Sequence, residues 1–449
     1  MRLSFHDLRA CVRQGALFPR PRRPFVDVDR ARLANYEWGM GREQTRGAFF
    51  SALRDRVGRV YYQDLRMAHF VSINYAHRAF PCLRAYLAES LNDEWLSIVD
   101  WRKFQRDHAL HQPLTAYAMA QLLSGGLVHH GELLIDWRPF LDHCIDALFR
   151  TAGSRYVFPF ARSINLPESW LVDNSASRHI WAGIFRDAAY FAALFHDVAY
   201  MWQYSTKLLR GMSGLMPEAV GVSSGVVDGA HGLGERLLMC PLYDYKWPHE
   251  FEPLGTTPKY EEFMRRALGS THGLPGGIAI LNMADDVERQ PRDVAYARGR
   301  LIVEWAALAV NMHDNAGLYA DFPGCGRRMR ILQPELRVQF EKDPLSAMLI
   351  LADTVQEFGR RRARFTRYDG PETHINYSPQ ADATDVEWYR TPRGLGTLKI
   401  TYRFSSGAEL AMKRSYLPKD QKRLFDPARG YLDLSGCSID RVKLDAQMI

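Results

Sequence analysis

The chain has 449 residues, of which 47% are hydrophobic and 24% charged, the composition of a folded globular chain of one to three domains, which excludes wholesale disorder. Lys and Arg number 58 against 51 Asp and Glu, a net charge of +7. Such a surplus suits an anionic ligand but is small, over this length, for a protein that coats nucleic acid.

No stretch approaches the roughly 18 uninterrupted apolar residues of a membrane-spanning helix, so no membrane partner is expected. The basic N-terminus, MRLSFHDLRACVRQGALFPRPRRPF, lacks the apolar core of a secretory signal. The cysteines Cys11, Cys82, Cys144, Cys240, Cys325 and Cys437 stand singly, with no Cys-x-x-Cys pair. Neither a disulfide framework nor a thiolate zinc site is expected, and a reducing cytoplasm is the expected compartment.

Residues 1–128 read as an N-terminal helical region. The segment 61–91 spaces its apolar residues three and four apart, with Pro81 as a break or kink, and TAYAMAQLLSGGLV (115–128) predicts a helix ending at Gly125-Gly126. Residues 129–370 continue as helices: ELLIDWRPFLDHCIDALFRTAG, HIWAGIFRDAAYFAALFHDVAYMW, RGRLIVEWAALAVNMH and PLSAMLILADTVQEFGRR. Several are apolar on most faces and should be buried. Residues 371–449 form a small β-rich appendage. Leu398, Ile400, Tyr402 and Phe404 alternate with Lys399, Thr401 and Arg403, the period of a half-buried strand. Ser405-Ser406-Gly407 reads as a turn into a second strand, and 431–436 and 438–445 as further strands. The fold expected is mainly α with this appendage.

Chemistry concentrates in the helical region. His196-Asp197, in AALFHDVAY, closes an apolar helix whose packing would fix both side chains. Adjacent helical residues point about 100° apart, so the pair cannot chelate one ion alone but can give two ligands to a cluster completed by other helices. His143 in FLDHCIDALF, His313 in WAALAVNMHDN and Asp353 in SAMLILADTVQEFGR are further polar residues in apolar surroundings. An ionised Asp353 in that setting is costly unless paired, for instance with Arg360, or bound to metal.

A His on one helix, a His-Asp doublet on the next, further histidines and then an Asp within an apolar helix resembles the HD-domain metal-dependent phosphohydrolases, over residues 130–365. The resemblance implies an HD-type helical bundle in which His143, His196, Asp197 and Asp353 hold a first metal, with His179 the alternative in the first position. His272, in STHGLPGGIAIL, and His313 would hold a second ion or the substrate phosphate, with His231 a competitor or additional ligand. Asp197, His272 and His313 would be the catalytic residues, Asp197 orienting or deprotonating a water. Imidazole and carboxylate donors suit one or two Mn²⁺, Fe²⁺, Ni²⁺ or Zn²⁺ ions.

The activity so implied is hydrolysis of a phosphate ester in a small molecule, a nucleotide or nucleotide-derived messenger. The alternatives are a nuclease acting on single-stranded nucleic acid and a degenerate scaffold that binds a nucleotide or protein without turnover. Where many members carry a Lys shortly after the doublet, this chain has HDVAY with Tyr200; Arg186, Arg236 or Arg360 would have to grip phosphate instead. No P-loop, Gly-x-Ser-x-Gly or His-Glu-x-x-His motif occurs.

Overall fold

The computed structural model describes residues 2–4, 108–124, 139–197, 271–277, 294–316, 337–358, 381–391 and 394–449, with single positions at 199, 280 and 379. The expected helix over 61–91, His231, Tyr200, Arg236 and Arg360 lie outside the described residues.

Helices dominate. In chain order they are α1 (His108–Ser124), α2 (Phe140–Ala147), α3 (Phe158–Ser163), α4 (Ser175–Phe195), α5 (Val294–His313), α6 (Pro344–Val355) and α7 (Gly407–Phe425). Leu148–Val157 winds as a wider π-helical segment between α2 and α3. None of the described helices is long and apolar enough to cross a membrane. Asn174 caps α4 by accepting from Ser177 N, and Asp343 caps α6 by accepting from Ser346 N with Pro344 in the first turn, both standard ways to satisfy first-turn N–H groups. α4 is the central helix and packs against α1, α5 and α6. Its fully buried Trp181 and Phe185 meet Trp305 of α5 edge-on, with centroids 6.3 and 5.4 Å apart, the arrangement that aromatic quadrupoles favour.

The strands are β1 (Arg2–Ser4), β2 (Val338–Gln339), β3 (Ala383–Arg390), β4 (Gly396–Phe404), β5 (Leu432–Asp433) and β6 (Arg441–Met448). Four of them form a sheet in the order β1-β3-β4-β6, antiparallel except for the parallel β4/β6 pair, and β2 pairs with β5 in parallel. The expected strand at 398–404 is present within β4, and Leu398, Ile400, Tyr402 and Phe404 are all buried. The sheet is not made by the C-terminal residues alone, since Arg2–Ser4 supplies its edge strand.

One expectation is corrected here. The residues after Ser405-Ser406 form helix α7, not a second strand. Ser406 accepts from Glu409 N, and Ser-x-x-Glu is a helix-starting pattern that outweighs the short alternation before it. α7 connects the parallel strands β4 and β6. Its Gln421 accepts from Leu444 N and donates to Val442 O while Arg414 donates to Ala446 O, so side chains of α7 occupy polar backbone groups of β6 that an edge strand would otherwise expose.

Candidate metal centre

Three helices end at one place. His196 follows the last residue of α4, His313 is the last residue of α5, and Asp353 lies in the final turn of α6, with Gln356 just beyond it. Helix C-termini carry partial negative charge and favour a cation. His111 comes from the start of α1, and His272 immediately precedes a helical turn at 273–277. Gly273 and Gly277 let that turn lie directly on α5. A Cβ at either position would sit 2.8 Å from a backbone oxygen, Val310 O or Ala307 O respectively.

The side chains form two groups that share Asp197: His111, His196 and Asp197, and Asp197, His272 and His313. In the first, His111 Nε2 lies 3.0 Å from His196 Nε2, 3.5 Å from Asp197 Oδ2 and 2.9 Å from Asp353 Oδ1. His196 Nε2 is 3.5 Å from Asp197 Oδ1 and 3.7 Å from Asp353 Oδ1. In the second, His272 Nε2 lies 2.7 Å from Asp197 Oδ1 and 3.1 Å from His313 Nε2, which is 3.8 Å from Asp197 Oδ1. The histidines and Asp197 are buried, whereas 36% of the Asp353 side chain remains accessible, which marks the open side of the site.

These separations, from 2.7 to 3.8 Å, bracket those of ligands around one ion. Ligand bonds of about 2.1 Å, meeting at tetrahedral or octahedral angles, place neighbouring donor atoms ~3.0–3.4 Å apart. The imidazoles are also turned for ligation. His196 Nδ1 donates to Ala193 O at 2.8 Å and His313 Nδ1 to Val310 O, each the carbonyl three residues earlier in its own helix. His111 Nδ1 donates to Gln356 Oε1, and the Gln356 amide is fixed by donating in turn to Phe358 O. His272 Nδ1 lies 2.9 Å from Asp314 Oδ2, which also accepts from the His272 backbone N–H. Carbonyl and amide oxygens can only accept, so His111, His196 and His313 carry a proton on Nδ1, and all four Nε2 atoms face the centre, the outer arrangement typical of metal-binding histidines.

Electrostatics point the same way. Burial disfavours a charged His272, but Asp314 and Asp197 outweigh it and raise its pKa to about 10. Burial likewise opposes charge on His196, whose pKa is raised nonetheless, by Asp197 and Asp353. For Asp353, burial would raise the pKa, yet the hydrogen bond from His111 and the nearby His196 hold the carboxyl well below its usual range. Asp314 is lowered against the same burial effect by His272 and His313. Without a cation, protons on imidazoles balance the carboxylates, which is the charge an ion would otherwise supply.

The structure brings His196, Asp197, His272, His313 and Asp353 together. It does not bring His143 there. His143 and Phe140 share one face of α2 and pack against Trp388 of β3, with centroids 5.8 and 6.2 Å away, so this face of α2 is turned toward the sheet. His179 is exposed near the start of α4, about 25 Å from the doublet along the unbroken helix. The place expected for His143 is taken by His111. Its signal was a histidine one turn before Thr115 at the head of an apolar run, but Pro113 made the helix look shorter than it is. Asp314 was also missed, being one of many charges next to a helix end. Comparison with protein families, with curated proteins and with solved structures finds no match for this chain.

Proposed function

We propose that the protein is a metal-dependent phosphohydrolase of HD type, acting on a nucleotide or a nucleotide-derived phosphate ester. The observation that carries this reading is the set of four histidines, each locked with Nε2 inward, around the single carboxylate of Asp197. With His111 in the first position, the chain order is His111, His196-Asp197, His272, His313, Asp353, the order of the HD pattern, and it supports an HD-type arrangement of the helices around the site.

His111, His196, Asp197 and Asp353 would hold one ion and Asp197, His272 and His313 a second, with Asp197 bridging. Nitrogen and oxygen donors suit Mn²⁺, Fe²⁺, Ni²⁺ or Zn²⁺. Such ions, when bound, neutralise charge on a phosphoryl oxygen and acidify a water to near neutral pH. Asp197, whose two oxygens face the two groups, would orient that water. The buried histidines keep bulk solvent from the nucleophile, and the accessible edge at Asp353 is the side from which a phosphate ester enters.

The test is elemental analysis of the purified chain, followed by hydrolysis assays on nucleotides, nucleotide phosphodiesters and single-stranded nucleic acid with Mn²⁺ added. Metal-dependent release of product from the small molecules is the expected result. Preference for the polymer would make the chain a nuclease. A fully metal-loaded protein inert toward all of them would overturn the enzymatic reading in favour of a binding scaffold.

A further inference from the structure

Two buried tyrosines of the C-terminal region reach the ends of the ligand-bearing helices. Tyr402, on β4, donates its hydroxyl to Thr354 O at 2.8 Å. Tyr431, just before β5, donates to Met312 O. Thr354 follows Asp353 and Met312 precedes His313. Both carbonyls belong to the last turn of a helix, where backbone oxygens have no partner within the helix, so each hydroxyl closes a helix end one residue from a candidate ligand. The rings are 1% and 0% exposed, and phenylalanine would fill nearly the same space; only the oxygen atoms need those carbonyls.

A third contact acts on the same stretch. Lys413 of α7 lies 3.0 Å from Glu357 and 4.4 Å from the centre of the Tyr402 ring. Glu357 adjoins Gln356, the residue that orients His111. The turn from Asp353 to Glu357 is therefore held from the sheet side at both of its ends.

We propose that Tyr402 and Tyr431 are positioning residues for metal binding, each acting on one group of ligands. Tyr402 sets the His111/His196/Asp353 group through Thr354, and Tyr431 sets the His272/His313 group through Met312. The C-terminal sheet is then part of the metal centre's support and not a separable addition. The proposal rests on the reading of the two groups as metal sites.

The test uses the full chain and Mn²⁺ binding measured by calorimetry, with circular dichroism to check folding. Two backgrounds isolate the groups: His313→Ala leaves the His111 group intact, and His111→Ala leaves the His272 group intact. Tyr402→Phe is expected to weaken Mn²⁺ binding in the first background and not in the second, and Tyr431→Phe the reverse. The expected loss is about tenfold, the lower end of what partners outside the ligand shell contribute. A general loosening of the fold would move both backgrounds alike, and that result, or no change in either, overturns the proposal. Should Tyr402→Phe fail to fold, Lys413→Met carries the same expectation, because it releases Glu357 and leaves the Tyr402 hydroxyl on Thr354 in place. Unaltered chain that takes up no Mn²⁺ at all overturns the metal reading, and this proposal with it. Two ions in the unaltered chain with unaffected Phe variants removes only the tyrosines.

Discussion

His111 and His196, 85 positions apart in the chain, present Nε2 atoms 3.0 Å from each other while both Nδ1 atoms are committed to oxygen acceptors. Two inward lone pairs at that distance repel unless a proton or a metal ion lies between them. His111→Ala should therefore remove the ion held by this group, whereas His143→Ala should leave metal content unchanged and lower stability through lost packing on Trp388. Metal stoichiometry of the two purified variants decides; metal loss in His143→Ala alone would reverse the assignment.

The second group depends on Asp314. Its carboxylate faces His272 at both the ring and the backbone, and gives that half a negative charge corresponding to Asp353 in the other. Asp314→Asn keeps the shape and an acceptor but removes the charge. Affinity for the ion at His272 and His313 should fall about 10- to 100-fold, with the His111 group unaffected in a Mn²⁺ titration. Equal weakening of both ions would count against this role.

Asp353→Asn separates ligation from simple pairing. Saturating metal at about 100 times its Kd stabilises a folded protein by about 2.7 kcal/mol per site. The unaltered chain should gain Tm on metal addition by the amount two sites give, and Asp353→Asn by less. In chelator the variant should melt somewhat lower, because an amide cannot replace the carboxylate that His111 and His196 hold ionised, so ligation is read from the smaller gain on adding metal. A large gap in chelator with identical gains on adding metal would assign Asp353 to pairing alone.

Metal-free protein should respond to alkali. The folded-state pKa of His272 is raised from 6.5 to about 10, so its contribution to stability is fully present below pH 6.5 and is lost as the pH rises through about 10. Thermal melts in chelator should show Tm falling across that window. Metal-loaded protein should not follow, because the ion replaces the proton and binds better as protons leave. His272→Gln should flatten the chelator profile.

The parts of the site legible in the sequence were those embedded in strong helical periodicity. His196-Asp197 at the end of α4, His313 at the end of α5 and Asp353 within α6 interrupt apolar runs where a polar residue needs a reason. His111 carried no such contrast, since Gln112 and Pro113 separate it from the long apolar run of its helix and its partners lie far along the chain. His143 looked equivalent because periodicity reports that a face is buried and not what it is buried against; here it is Trp388. β4 was readable from its alternation, while β1, three residues long, has too little pattern to read. The Ser406–Glu409 cap was present in the sequence but was overridden by the strand before it. Nothing local in Tyr402 or Tyr431 discloses that their hydroxyls meet the ends of α6 and α5, because those pairings are made only by the tertiary fold.

The glycines under His272 join two tolerances of similar size. A side chain at Gly277 would begin 2.8 Å from Ala307 O, where ordinary contact starts at 3.4 Å, and one at Gly273 would meet Val310 O just as closely. Coordination distances are held within about 0.2 Å. One added methyl group would thus move His272 away from His313 by more than that tolerance. The thickness of two bare backbones in contact would then act as a gauge for the radius of an ion held by His272 and His313, and alanine at position 277 should weaken binding of small ions more than of larger ones.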